Sequence, residues 1–221
     1  MIEDMTQKEL KELASQLRCP SGRYGDEIAS AMEDTNSMMV KTTISQLGDI
    51  DGKTLLELGP GNGYHLKRLL EKSKKMFTVD ISKLMKKKID EKYHTQINEG
   101  KLISILGNGE RISIPKNTID KGFSINTIYF WKNPKDYLNE IAQCFKDGGE
   151  FFLAYAHKRY IEKLPFVKFG FELYNEEKII KLCEETPFSV AEQKVIPETV
   201  KSASGEIINR DFVVSKLVVK Q

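Results

Sequence analysis

Three glycines and two carboxylates are the residues best placed to do chemistry. Gly59, Gly61 and Gly63 crowd into the run LELGPGNGY, and Asp80 closes the apolar run MFTVD. Glycine accepts positive φ without steric cost and lets a ligand approach the backbone. A carboxylate about 20 residues beyond such a loop is placed to accept from ribose hydroxyls. The pair points to a nucleotide-type ligand. A dinucleotide loop needs GxGxxG. Here the third Gly comes one place early, and Tyr64 stands where the last Gly belongs. No Gly-Lys-Ser or Gly-Lys-Thr follows, so a phosphate-cradling loop is absent. Glu57 lies two residues before the first Gly. It would repel a pyrophosphate and attract a cation.

The flanking sequence must put these groups in one place. Thr54–Leu58 reads as a buried strand, and Leu66, Leu69 and Leu70 mark one face of the helix after the loop. Met76–Val79 is the next strand, and Ser82 caps a helix running to about Asn98. Lys101–Leu106 is a third strand, followed by the polar loop Gly107-Asn108-Gly109-Glu110. Asp120–Ile125 is a fourth strand, ending at Asn126, and Asn133-Pro134 starts a helix. Glu150–Ala156 is a fifth. Residues 157 to 172 read as irregular, Glu176–Glu185 as a short helix. Phe188–Val195 and Ile207–Val219 form a late hairpin with Pro197 and Gly205 in its connection. Strand–helix alternation predicts an α/β fold: a doubly wound, mostly parallel sheet, seven-stranded with the antiparallel C-terminal hairpin. Ligands of such sheets bind beyond the strands' carboxyl ends. Glu57, Asp80, Asn108 and Asn126 all stand at such ends.

Ahead of the sheet, residues 1–48 read as a helical cap on one unit spanning 49–221. Thr6 and Glu9 suit a capping box for a first helix over residues 5–17. RCPSGRYGD, Arg18 to Asp26, reads as a linker or as a flap over the ligand, with Tyr24 as the contact. A second helix follows over 27–47.

The chain has 221 residues, 40% hydrophobic and 30% charged, with a net charge of +2. That supports one sizeable core and demands no polyanionic partner. Cys19, Cys144 and Cys183 are scattered, form no metal spacing, and suit a reduced, cytoplasmic chain. No run reaches the roughly 20 apolar residues of a membrane span.

ELGPGNG resembles motif I of the class I S-adenosylmethionine-dependent methyltransferases. FTVDIS is similar to that family's second strand with its ribose acid, and LGNGERISIP to its adenine-side loop. DKGFSINTIYFWKNP resembles the fourth strand of small-molecule members. The resemblance covers roughly residues 25 to 156 and implies a Rossmann-like fold and S-adenosyl-L-methionine as cofactor. It implies that Gly59, Gly61 and Gly63 admit the methionine and ribose portions, and that Glu57 neighbours the methionine amine. Asp80 would accept from the ribose and Ile81 press on adenine. Asn108, flanked by Gly109 and Glu110, would face the adenine amine, and Asn126 would lie near the methyl.

A small-molecule methyl acceptor would meet Tyr129, Trp131, Arg159 and Tyr160. His157 and Tyr129 are the catalytic candidates, with His157 as base; His65 reads as a surface or packing residue. Asn126-Thr127-Ile128-Tyr129 lacks both prolines of the run in amino-methylating DNA enzymes, which argues against nucleic acid. The alternatives are a cofactor-binding protein of the same fold without acceptor chemistry and a nicotinamide oxidoreductase.

Overall fold

The computed structural model describes residues 4–201 and 207–220. Helix α1, Gln7–Arg18, starts on the expected capping box: Thr6 accepts from the Glu9 N–H, and the Glu9 side chain accepts from Thr6. Its Leu10, Leu13 and Ala14 are buried with Phe166 in a small core of their own. Helix α2 spans Gly22–Gln46 and buries Met39, Val40 and Thr43. It begins inside the segment expected to be a loop, so the connection from α1 is only Cys19 to Ser21. That turn is tight because Gly25 packs on Pro20, where a Cβ would sit 2.7 Å from the Pro20 carbonyl carbon.

The sheet strands are β1 Thr54–Leu58, β2 Lys75–Asp80, β3 Leu102–Leu106, β4 Ile119–Ile125, β5 Phe145–Ala156, β6 Phe188–Lys201 and β7 Ile207–Val219. Their order is β3-β2-β1-β4-β5-β7-β6. The pairs from β3 through β5 are parallel; β7 runs antiparallel to both neighbours, so six strands share one direction. β1 is buried at every position, as expected of a central strand covered on both faces. Each buried leucine there contributes roughly 1.5–3 kcal/mol.

Helices α3 Leu66–Lys72, α4 Lys83–Lys92, α5 His94–Asn98, α6 Pro134–Cys144, α7 Lys158–Ile161 and α8 Glu176–Glu184 complete the fold. The single helix expected over 82–98 breaks at Tyr93, whose buried ring carries its hydroxyl to the Gly63 carbonyl at 2.7 Å. The late strands run longer than expected. Pro197 lies within β6, opposite Asp211, rather than in the connection. β6 is an edge strand, where the missing N–H costs little. Gly205 lies outside the described residues. β5 begins early, with a register break between its pairings at Ile119 and Lys121.

Strand order reverses between β1 and β4. There the chain leaves adjacent parallel strands in opposite directions, which opens a crevice at their carboxyl ends. Among the described residues, no helix is long and apolar enough to cross a membrane.

Candidate functional site

The crevice is built on the loop after β1. Gly59 and Gly61 both have positive φ, at 72° and 58°. A Cβ on Gly59 would collide with the Thr127 side chain, whereas one on Gly61 would meet nothing within 4 Å. Gly61 thus faces open space, and Gly59 lets the loop approach the turn after β4. Gly63 does a different job. Its Cβ would press on Leu66 and Ile89, so it seats α3 against α4 and does not line the crevice.

Asp80 ends β2 with its side chain in the crevice, 9% exposed. Burial pushes its carboxyl up to about 6, against the pull of the Ser82, Gly61 and Ile81 N–H groups; the Glu57 charge adds to the rise. The Ser82 N–H donates to Oδ1 at 2.8 Å. No cation pairs with Asp80 among the described residues. Ile81 lines the wall beside it.

The loop after β3 brings Asn108, Gly109 and Glu110 to the same crevice. Asn108 Oδ1 accepts from the Glu110 and Arg111 N–H groups, both at 2.9 Å, so this side chain shapes its own loop. Asn126 lines the crevice from the end of β4, held at φ 55°. Its Oδ1 accepts from the Tyr129 hydroxyl at 2.8 Å and the Ala156 N–H at 3.2 Å; its Nδ2 donates to Asn36 Oδ1 at 3.1 Å. Tyr129 is buried, which pushes its hydroxyl far above the usual range, and it lines a second opening beside the crevice. Trp131 lines both and donates to Thr127 Oγ1 at 3.2 Å.

Under α2, next to the crevice, lies a chamber that sequence reasoning missed. Glu57 is 1% exposed, and its two carboxylate oxygens lie 2.8 and 2.9 Å from His65 Nε2. Asn62 donates to Glu33 at 2.7 Å across the chamber. Asn36 also accepts from Arg210, which reaches over from β7 at 3.4 Å. No motif marks Asn36 or Arg210. His65 was visible only as a histidine after the glycine loop. Arg18 lines the crevice too, from the segment where Tyr24 was the expected contact.

Other expected residues stand elsewhere. Tyr24 is exposed in the first turn of α2 and does not line the crevice. His157 caps α7: its Nδ1 accepts from the Arg159 N–H at 3.1 Å, and Nε2 pairs with Glu176 at 2.9 Å. Both ring nitrogens are engaged. Arg159 is held by Asp211 at 2.8 Å, and Tyr160 packs its ring beneath the Arg210 guanidinium. These residues serve the hairpin junction. Among the described residues, no His, Cys, Asp and Glu cluster could hold a metal.

The family described as "Methyltransferase domain" matches residues 56–153, the span from β1 into β5. The tRNA U34 carboxymethyltransferase of Pseudoalteromonas atlantica is 30% identical over 105 residues, 47% of this chain and 32% of that protein. The uncharacterized methyltransferase YdaC of Bacillus subtilis is 27% identical over 121 residues, 54% of this chain and 65% of that protein. The chain thus spans less than two thirds of the length of either curated relative. The methyltransferase solved with the Haloferax volcanii Trm112 methyltransferase activator superposes with a TM-score of 0.72 at 18% identity, over 87% of this chain and 93% of that one. Matched domain, sheet order and glycine loop agree: residues 56–153 match a methyltransferase domain, and the chain folds as the solved methyltransferase does.

Proposed function

We propose that this protein transfers a methyl group from S-adenosyl-L-methionine to a small-molecule acceptor by in-line displacement. The observation that carries the reading is Asp80: a buried carboxylate without a cation among the described residues, in the same crevice as Gly61. A buried carboxylate needs donors. The two ribose hydroxyls supply them where backbone N–H groups leave capacity. Ile81 and the loop at Asn108, Gly109 and Glu110 would flank adenine. Gly59 and Gly61 would leave room for the ribose and methionine portions. Glu57 would lie on the side of the methionine amine, and Asn126 at the transfer end. Bound there, the cofactor supplies an activated methyl on a sulfonium.

The chain's own part is alignment and exclusion of water, which can supply roughly 7–11 kcal/mol of barrier lowering. Tyr129 and Trp131 would wall the acceptor, and residues 1–48 would act as a cap on the unit 49–221. The three cysteines are free, which suits a reducing, cytoplasmic setting.

Calorimetry tests the cofactor. S-adenosylhomocysteine should bind and NAD should not; tight NAD binding alone would sink the reading. A second reading, a tRNA acceptor, is suggested by the tRNA-modifying relative. Against it, lysines of the basic α4 are internally paired: Lys86 with Asp90, Lys87 with Glu91 and Lys88 with Asp26. Methyl transfer to bulk tRNA, but to no small molecule, would establish it instead.

A further inference from the structure

Resting on that reading, we infer that the acceptor presents an anionic oxygen, a carboxylate, to the transfer end of the site. The inference starts from the polarity of Asn126. Its amide orientation follows from its partners. The Ala156 N–H donates to the Tyr129 hydroxyl at 2.5 Å and also points at Asn126 at 3.2 Å; the hydroxyl, accepting there, gives its own proton to the Asn126 atom 2.8 Å away, which is therefore the carbonyl oxygen. The Asn36 amide is fixed the same way, because the Arg210 guanidinium at 3.4 Å can only donate to Oδ1. Nδ2 of Asn126 therefore faces Asn36 Oδ1, at 3.1 Å. The Tyr129 hydroxyl, 2.8 Å away, occupies the rest of the Asn126 oxygen. What Asn126 has left is one N–H. A side chain in this state donates to a ligand and does not accept from an amino group.

The charges around the site agree. Arg18 lines both the crevice and the second opening, and its guanidinium has no hydrogen-bond or ion-pair partner among the described residues. Lys132 lines both as well, 3.5 Å from Glu110. The carboxylate at the second opening, Glu172, is paired with Lys178 at 2.8 Å. The aromatic walls Tyr129, Phe130, Trp131 and Phe171 complete that opening. An anion with an apolar body fits these surroundings.

Among the described residues, no imidazole lines the crevice or the second opening, and the carboxylates there are accounted for. Asp80 is assigned to the ribose, Glu110 lies 3.5 Å from Lys132, and Glu172 is paired with Lys178. His157 has both nitrogens engaged. An ionised carboxylate needs no base. Its oxygen forms the bond to the methyl carbon as the carbon–sulfur bond breaks onto sulfur. One negative and one positive charge cancel, no proton moves, and the products are a methyl ester and S-adenosylhomocysteine.

The test uses the full chain saturated with S-adenosylhomocysteine. Trp131, the sole tryptophan, reports binding by fluorescence, with calorimetry alongside. The probes are benzoate, phenylacetate and octanoate against benzylamine, phenethylamine and octylamine. At least one carboxylate should bind tenfold or more tighter than its matched amine. Asn126→Asp, which replaces the donor with an acceptor, should abolish that preference. Arg18→Gln should weaken the same carboxylate about fivefold. Equal or tighter binding of the amines, or no carboxylate binding at all, overturns the inference. So does an Asn126→Asp variant that loses S-adenosylhomocysteine as strongly as carboxylate, because the N–H then serves the cofactor. Failure of S-adenosylhomocysteine to bind the unaltered protein overturns the methyltransferase reading beneath it, a separate result.

Discussion

Ser82 ties Asp80 to the N-terminal turn. Its backbone N–H donates to Asp80 Oδ1 at 2.8 Å, and its hydroxyl donates to the Pro20 carbonyl at 2.5 Å. The same hydroxyl accepts from the Met85 N–H and caps α4. One residue thus fixes the buried acid, the helix behind it and the turn that follows Arg18.

The Asp80 carboxyl sits at about 6 in the folded chain against an ordinary 3.8. The folded form keeps its proton between about pH 4 and 6, where the unfolded form has lost it. Stability of the ligand-free protein therefore falls as pH rises through that window. The charged state costs at most about 3 kcal/mol at neutral pH. Asp80→Asn keeps an acceptor for the Ser82 N–H and removes that cost. Its ligand-free melting temperature at pH 7 should rise, and calorimetric affinity for S-adenosylhomocysteine should drop at least tenfold. A variant that melts lower yet binds normally would refute the role given to Asp80.

Binding should show the complementary pH dependence. The ionised carboxylate is the form that accepts from two hydroxyls. S-adenosylhomocysteine affinity should hold above pH 6 and fall up to tenfold per unit below it. Titrations from pH 5 to 8 on the unaltered protein and on Asp80→Asn check this: only the unaltered protein should bend near 6.

The three loop glycines should separate by phenotype. Gly61→Ala places a methyl in open crevice space, so its folding cost is limited to the positive φ, about 1 kcal/mol. Its cofactor affinity should fall at least tenfold. Gly63→Ala presses on Leu66 and Ile89 and should cost more in stability than in intrinsic binding. Parallel urea unfolding and calorimetry on both variants would expose the reverse ranking if the assignment were wrong.

What could be read in the sequence was local. Gly59, Gly61 and Asp80 announce themselves because a strand, a turn and a strand end are encoded within a few neighbouring residues. The crevice itself followed from strand–helix alternation. Asn36 was invisible because it meets Asn126 across 90 positions, and Arg210 meets Asn36 across 174. The pairing of His65 with Glu57 was missed for another reason. Histidine directly after a glycine loop reads equally as surface or packing, and only the fold sets its ring beside Phe123 and Glu57. Tyr24 was picked from composition alone. The backbone that matters there is the Cys19–Ser21 turn, which aims Arg18 rather than Tyr24.

The buried pair Arg210 and Glu198 anchors the hairpin to the cap. Arg210 Nε lies 2.6 Å from Glu198 Oε1, with side chains 11% and 0% exposed. Its Nη2 donates to the Thr35 carbonyl at 2.6 Å, on α2. Arg210→Met leaves Glu198 buried and unpaired, which costs about 3–5 kcal/mol. Adding Glu198→Leu removes the stranded charge and should recover most of that loss. The double variant still lacks the contacts to Thr35 and Asn36. It should therefore fold nearly as stably as the unaltered protein yet bind the carboxylate probe several-fold more weakly, because Asn36 no longer holds Asn126 in one orientation. Urea unfolding gives the first quantity and Trp131 fluorescence the second. If the double variant binds carboxylate normally, the hairpin braces the fold without reaching the site.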